Sequence, residues 1–270
     1  MNKTNYLAIV LLLLSLSGFS QSFYLIAHRG GIVDSTNVEN SIPALNAAII
    51  QGYRMVEMDM RLTKDSMLII QHDKNFKRYY GVDSNVADMT WKQINRLVSD
   101  RGSKVASLEE EFKHCQGHVQ VMLDNKIKGN DTIVWRKLID LLKKYDLLDS
   151  AITIGTDESS AWFTGKIRLS ASRQQLDENS RKPGYKSSDY YLFGDVKSMT
   201  SADVEWARQQ GIMVIGAVNL FAYKNGGLPA AFKDIETLKS WGVTRFQIDS
   251  ELGTAFQELQ TGTSASHLIQ

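Results

Sequence analysis

The chain has 270 residues, 43% of them apolar and 23% charged, and carries a formal net charge of +1. That composition fills one complete core and excludes a disordered chain, and the absence of a Lys/Arg stripe sets nucleic-acid binding aside. The single cysteine, Cys115, excludes an internal disulfide framework and a cysteine zinc site, and reads as a small buried side chain.

At the N-terminus Lys3, an apolar stretch over 7–16 and the small-x-small pattern Gly18-Phe19-Ser20 predict a signal peptide over 1–22. The apolar stretch is shorter than the ~20 residues that span a bilayer. A secreted or periplasmic protein with no stable membrane insertion after cleavage is therefore expected. Beyond it, short apolar runs alternate with helical patterns. Strands are predicted at 23–27, 54–60, 67–71, 119–123, 151–154, 166–170, 190–193, 213–218 and 245–248, and helices at 42–51, 132–145, 202–210 and 231–240. The second and third strands are joined by the tight turn Lys64-Asp65-Ser66. Residues 73–107 break the rhythm and read as a small excursion over the barrel mouth, with a short helix beginning near Thr90. Residues 261–270 read as a tail. About eight strands with helical crossovers in one domain, 23–260, predict an α/β (β/α)8 TIM barrel. No glycine-rich dinucleotide fingerprint follows the first strand, which argues against an open doubly wound sheet.

The stretch Met55-Val56-Glu57-Met58-Asp59-Met60 is anomalous. Alternation puts Met55, Glu57 and Asp59 on the barrel's inner face and Val56, Met58 and Met60 against helices. Two adjacent buried carboxylates repel and lose hydration, which a hard divalent cation, or a neighbouring Arg54 or Arg61, would offset. His28-Arg29-Gly30 follows the first strand, His72-Asp73 the third, and Asp124 the strand at 119–123. The C-terminal strand ends of such a barrel share one face, so two imidazoles, three carboxylates, Arg29 and Lys126 converge on one mouth.

The segments Ala27-His28-Arg29-Gly30, Glu39-Asn40-Ser41, Glu57-Met58-Asp59, Thr63-Lys64-Asp65, Gln71-His72-Asp73 and Ser107-Leu108-Glu109-Glu110 resemble the signature of the glycerophosphodiester phosphodiesterase family. Gly242-Val243 and Asp249 are similar to its closing elements. The resemblance implies that Glu57, Asp59 and Asp124 bind one divalent cation, Ca2+ or Mg2+. It implies that His28 and His72 are the acid/base pair, that Arg29 and Lys126 hold the phosphate, and that Glu39 supports the site. The implied reaction is hydrolysis of a small-molecule glycerophosphodiester to glycerol 3-phosphate and an alcohol. A diester needs its phosphoryl charge neutralised and its leaving oxygen protonated, and a cation, an Arg and an imidazole are suited to those tasks.

Four positions depart from the family pattern: Val38 for Pro, Ser66 for the turn Gly, Asp124 for Glu, and Ala217 where an aromatic wall is usual. The last predicts a wider pocket. Phospholipase-like cleavage of intact lipid is the nearest alternative, against which stands the lack of an evident aromatic loop or amphipathic helix. A catalytically silent phosphate- or glycan-binding barrel is the other, and it does not call for two acid/base groups. The export reading predicts a mature N-terminus between Gln21 and Phe23. N-terminal sequencing of protein recovered from the medium or periplasm tests it, and an intact Met1 would count against it.

Overall fold

A computed structural model describes residues 23–224, 227–253 and 256; the expected signal peptide and tail lie outside them. In chain order the first half comprises β1 (Tyr24–Ala27), α1 (Ile42–Ile50), β2 (Met55–Leu62), β3 (Leu68–Ile70), β4 (Asn75–Phe76), α2 (Lys77–Tyr80), β5 (Val82–Asn85), α3 (Trp91–Ile94) and α4 (Leu108–Cys115). The second half comprises β6 (Gln120–Asn125), α5 (Thr132–Lys144), β7 (Ile152–Ile154), α6 (Asp157–Phe163), β8 (Arg168–Ala171), α7 (Arg173–Ser180), β9 (Tyr190–Gly194), α8 (Ser201–Gln209), β10 (Met213–Val218), α9 (Gly227–Ser240) and β11 (Arg245–Ile248).

Eight parallel strands close into a barrel in the order β1-β2-β6-β7-β8-β9-β10-β11, with β11 returning to β1. Ile26, Met55, Met122, Ile152, Tyr191 and Ile215 form one interior layer. Val56, Met58, Met60 and Leu123 face outward into the larger cluster shared with the helices. The alternation read on β2 is therefore the one observed. Each fully buried aliphatic side chain in these layers contributes roughly 1.5–3 kcal/mol of burial free energy.

Helix starts follow from local chemistry. Ser41 caps α1 with a proline in the first turn, and Ser107, Thr156, Ser172 and Thr200 form capping boxes on α4, α6, α7 and α8. The sequence reading did not resolve α4, α6 and α7. Their eight residues or fewer give little periodicity, and α7 buries only Leu176.

The third predicted strand requires a correction. β3 is not a barrel stave: it runs antiparallel to the far end of β2, pairing Met60 with Ile70 and Leu62 with Leu68. β2 overshoots the barrel, turns at 64–66 and folds back. His72 thus reaches the mouth by a hairpin return and not at the C-terminal end of a parallel strand. The following segment contains the β4–β5 hairpin, α2 and α3 around a small separate cluster of Ile69, Phe76, Val86, Ile94 and Val105.

Cys115 is buried on α4. One turn earlier Glu111 is fully buried, and neither carboxyl oxygen has a hydrogen-bond partner among the described residues. Burial, with Glu110 adding to it, pushes its pKa well above the usual glutamate value, so the folded protein disfavours its ionisation. The unfolded chain ionises near the ordinary value, so stability is lost as pH rises from there toward the raised one. Glu111→Met should therefore raise Tm by roughly a few degrees at pH 8 and by less near pH 4, measured by scanning calorimetry.

Candidate active site

The turn after β1 is shaped by backbone constraints. Gly30 adopts φ +81°, and a Cβ there would lie 2.6 Å from Asn40 Cα; at Gly31, with φ +136°, it would lie 2.1 Å from the Ala44 carbonyl oxygen. Only glycine permits this approach to the start of α1. The tight path lets Arg29 N–H donate to Glu57 Oε2 at 2.7 Å and Gly30 N–H donate to the Glu57 carbonyl at 2.6 Å.

Parallel pairing sets Asp59 of β2 opposite Asp124 of β6. One oxygen each from Glu57, Asp59 and Asp124 lie within 4.8 Å of one another. Asn40, itself buried at φ +51°, clamps Asp59: its Nδ2 donates to Asp59 Oδ2 at 2.9 Å, and Asp59 N–H donates to its Oδ1 at 3.1 Å. Glu57 Oε1 is buried with no hydrogen-bond partner among the described residues. Burial first, then Asp59 and Asp124, push the Glu57 pKa well above the usual range. The Lys126 ammonium answers part of this charge, 2.5 Å from Asp124 Oδ2 and 3.2 Å from Asp59 Oδ1. Lys126, expected to hold the phosphate, contacts the Asp59 and Asp124 carboxylates in this structure. Among the described residues Arg61 forms no ion pair with them; it donates to the Gln71 and His72 carbonyls and pins the hairpin return.

Both imidazoles stand at this mouth, each with Nδ1 on a carboxylate. His28 Nδ1 lies 2.6 Å from Asp249 Oδ1, just past β11, and His72 Nδ1 lies 2.9 Å from Asp73 Oδ1. The acceptors place the proton on Nδ1 and leave each Nε2 facing the site. His28 Nε2 is 3.9 Å from Glu57 Oε2, and His72 Nε2 is 3.4 Å from an Arg29 nitrogen. Burial opposes ionisation of Asp249, but the His28 bond and charge, with the Leu220 N–H, hold its pKa below normal. Asp73 is held low in the same way by His72 and Arg78.

Glu39 lies outside the carboxylate trio. Its oxygens accept from Arg29 at 2.9 Å and from Arg78, so it positions two guanidinium groups. Asn40, Asp73, Arg78 and Asp249 completed the site without being assigned roles from sequence. Asp249 carried the same signal as Asp124, an acid just past an apolar strand. Arg78 had none, because only the fold of residues 73–107 brings it to Glu39.

The pocket beside His28 and Arg29 is lined further by Glu39, Arg78, Tyr79, Phe221 and Asp249. Ala217 adds no aromatic wall, but Phe221, four residues on, is 63% exposed with its ring centroid 6.3 Å from that of His28 and 5.9 Å from the Arg29 guanidinium carbon. The wall missing at Ala217 thus has an aromatic counterpart in Phe221.

A family model described as the glycerophosphoryl diester phosphodiesterase family matches residues 28–236, well over half of the chain. The chain belongs to this family. Among curated relatives it is 31% identical over 138 residues to a glycerophosphodiester phosphodiesterase of Caldanaerobacter subterraneus, covering 47% of this chain and 55% of that protein. It is 28% identical over 133 residues to lysophospholipase D GDPD1 of Mus musculus, covering 44% and 41%. The matched part thus spans about half the length of these relatives or less. Among solved structures, a glycerophosphoryl diester phosphodiesterase from Parabacteroides distasonis has the same fold, with a TM-score of 0.71 at 19% identity over 91% of this chain and 88% of that one. A phosphodiesterase from Oleispira antarctica, solved in complex with the product sn-glycerol-3-phosphate, superposes with a TM-score of 0.65 at 16% identity over 87% and 95%.

The Asn40 clamp joins one hydrogen bond to the buried Asp59 carboxylate, and one from the Asp59 backbone N–H, with a left-handed backbone that disfavours most residues. Asn40→Ala should cost about 2–4 kcal/mol in urea denaturation, and Asn40→Gly, which relieves the backbone but not the lost bonds, should recover only part of it.

Proposed function

We propose that this chain is a phosphoric diester hydrolase that cleaves glycerophosphodiesters to glycerol 3-phosphate and an alcohol, using one divalent cation, Ca2+ or Mg2+. The observation that carries this reading is the convergence, in one mouth, of three crowded carboxylates with two imidazoles presented through Nε2. The donor set fits a hard cation: it is all oxygen, and among the described residues Glu57 Oε1 is buried without a partner. Two oxygens bound to one Ca2+ at about 2.3–2.6 Å lie at most about 5 Å apart, which suits a trio within 4.8 Å. Asp124, though shorter than the Glu usual in the family, reaches that span because its register sets it beside Asp59.

Glu57, Asp59 and Asp124 would hold the cation, which when bound supplies charge neutralisation to the phosphoryl oxygens. Arg29, fixed by Glu39, is placed to receive a phosphate oxygen at the rim between the imidazoles. One imidazole takes at Nε2 the proton of the attacking hydroxyl, from water or the substrate's own glycerol, as that oxygen bonds to phosphorus; the other, entering as the imidazolium, gives its Nε2 proton to the leaving alkoxide as the P–O bond breaks. Asp249 and Asp73 hold the rings in the required tautomer and stabilise them when charged. The complex of the Oleispira protein with sn-glycerol-3-phosphate supports a small product of this kind. Export through residues 1–22 to the periplasm or medium belongs to the same reading, with a soluble diester as substrate.

A second reading, cleavage of a lysophospholipid, is favoured by exposed Phe221 beside His28 and by the activity named for the Mus musculus relative. Product analysis on glycerophosphocholine and lysophosphatidylcholine, each with and without EDTA, separates the two. The leading reading predicts release of glycerol 3-phosphate, abolished by EDTA; turnover of the lysolipid alone would favour the second. His28→Ala and His72→Ala should each lower kcat by roughly 10²–10⁴-fold with the fold retained by circular dichroism. A His72→Ala enzyme with most of its activity would show the pair to be misassigned.

A further inference from the structure

Among the described residues, Lys126 is the one lysine or arginine whose side chain lies within ion-pair reach of the carboxylate trio. Its backbone is pinned. Lys126 N–H donates to the Met60 carbonyl at 3.1 Å, and the preceding Asn125 is buried, bonding Ser159 Oγ at 3.1 Å and accepting from Ile127 N–H at 3.0 Å. The four-carbon stem is not held in this way, and the side chain remains 27% exposed. The residue is thus a charge on a flexible tether, anchored two positions from one candidate ligand and bridging two of the three.

The chemistry of that position sets two cations against each other. The ammonium contacts one oxygen of Asp59 and one of Asp124, on residues whose oxygens a divalent ion would also need. Like charges at such separations repel, so the ammonium and a bound divalent ion compete for those oxygens. Asp59 cannot turn away to serve both, because Asn40 holds its other oxygen.

Building on the cation reading above, we propose that Lys126 is a built-in competitor for the divalent ion: its ammonium is the tethered counter-ion of Asp59 and Asp124, and metal binding must displace it. The displaced ammonium swings toward the exposed side of the mouth, where a substrate phosphate would meet it. Metal and phosphate then favour each other through one side chain, since each removes the partner that the other would compete with.

Calorimetric titration of the full-length protein with CaCl2 or MgCl2, in the absence of substrate and at fixed ionic strength, tests this directly. Lys126→Met and Lys126→Gln should each bind the ion roughly tenfold tighter than wild type, the scale of losing one part-buried ion-pair competitor. A residue that serves only the phosphate would leave the metal affinity unchanged, and one that helps to organise the carboxylates would weaken it. Either result, seen in both variants, overturns the proposal. Arg29→Met is the control for the general field of the mouth, and equal tightening there would also overturn direct competition. If wild type and variants alike bind no divalent ion, the cation reading itself fails and the proposal falls with it.

Discussion

Crowding of negative charge at the mouth of the barrel is the constraint on which the rest of the site depends. Glu57, Asp59 and Asp124 bring three carboxylates within 4.8 Å, and Glu57 and Asp59 are almost wholly withdrawn from water. Such a cluster is unfavourable by several kcal/mol unless it is answered by donors and cations. The surrounding structure supplies them piecemeal: backbone N–H from the turn after β1, the Asn40 amide, and the Lys126 ammonium. Among the described residues none reaches Glu57 Oε1, and that unanswered oxygen is the one the proposed cation would meet.

The chain geometry around the mouth follows from this demand. The close approach of Gly30 and Gly31 to the start of α1 brings Asn40 and the turn amides onto β2 together. Around the trio, charges are arranged as fixed pairs. Glu39 holds Arg29 and Arg78, Asp73 holds His72 and Arg78, and Asp249 holds His28. Each pair fixes a side chain beside the cleft, which is the preorganisation that the proposed catalysis on a charged phosphate would require.

Much of this was legible in the sequence because it rests on local periodicity. Alternation on β2 gave the inward carboxylates and outward methionines, and acids and imidazoles just past apolar strands marked the mouth. The two-residue period alone does not separate parallel from antiparallel strands, and the hairpin course of β3 was signalled only by the turn at 64–66, too short for a parallel crossover. The roles of Asp249 and Arg78 depend on contacts spanning 221 and 39 residues, which no local pattern encodes. The departures from the family pattern become intelligible in three dimensions. Val38 is fully buried, and its carbonyl accepts from Ser41 Oγ at 2.7 Å, so the loop keeps its course without a proline. Ser66 takes the turn at φ +60°, a conformation glycine adopts at less cost, within a turn braced by Thr63 and Asp65. Phe221 supplies, from the loop after β10, an aromatic face that Ala217 cannot.

Anomalous diffraction from crystals grown with Mn2+ and glycerol 3-phosphate tests the central claim most directly, because it locates the ion and the phosphate together. The account predicts a single anomalous peak bounded by Glu57, Asp59 and Asp124, with the phosphate between the Nε2 atoms of His28 and His72 and against Arg29. A peak at Glu39, His72 and Asp73 instead, or phosphate density away from both imidazoles, would contradict it.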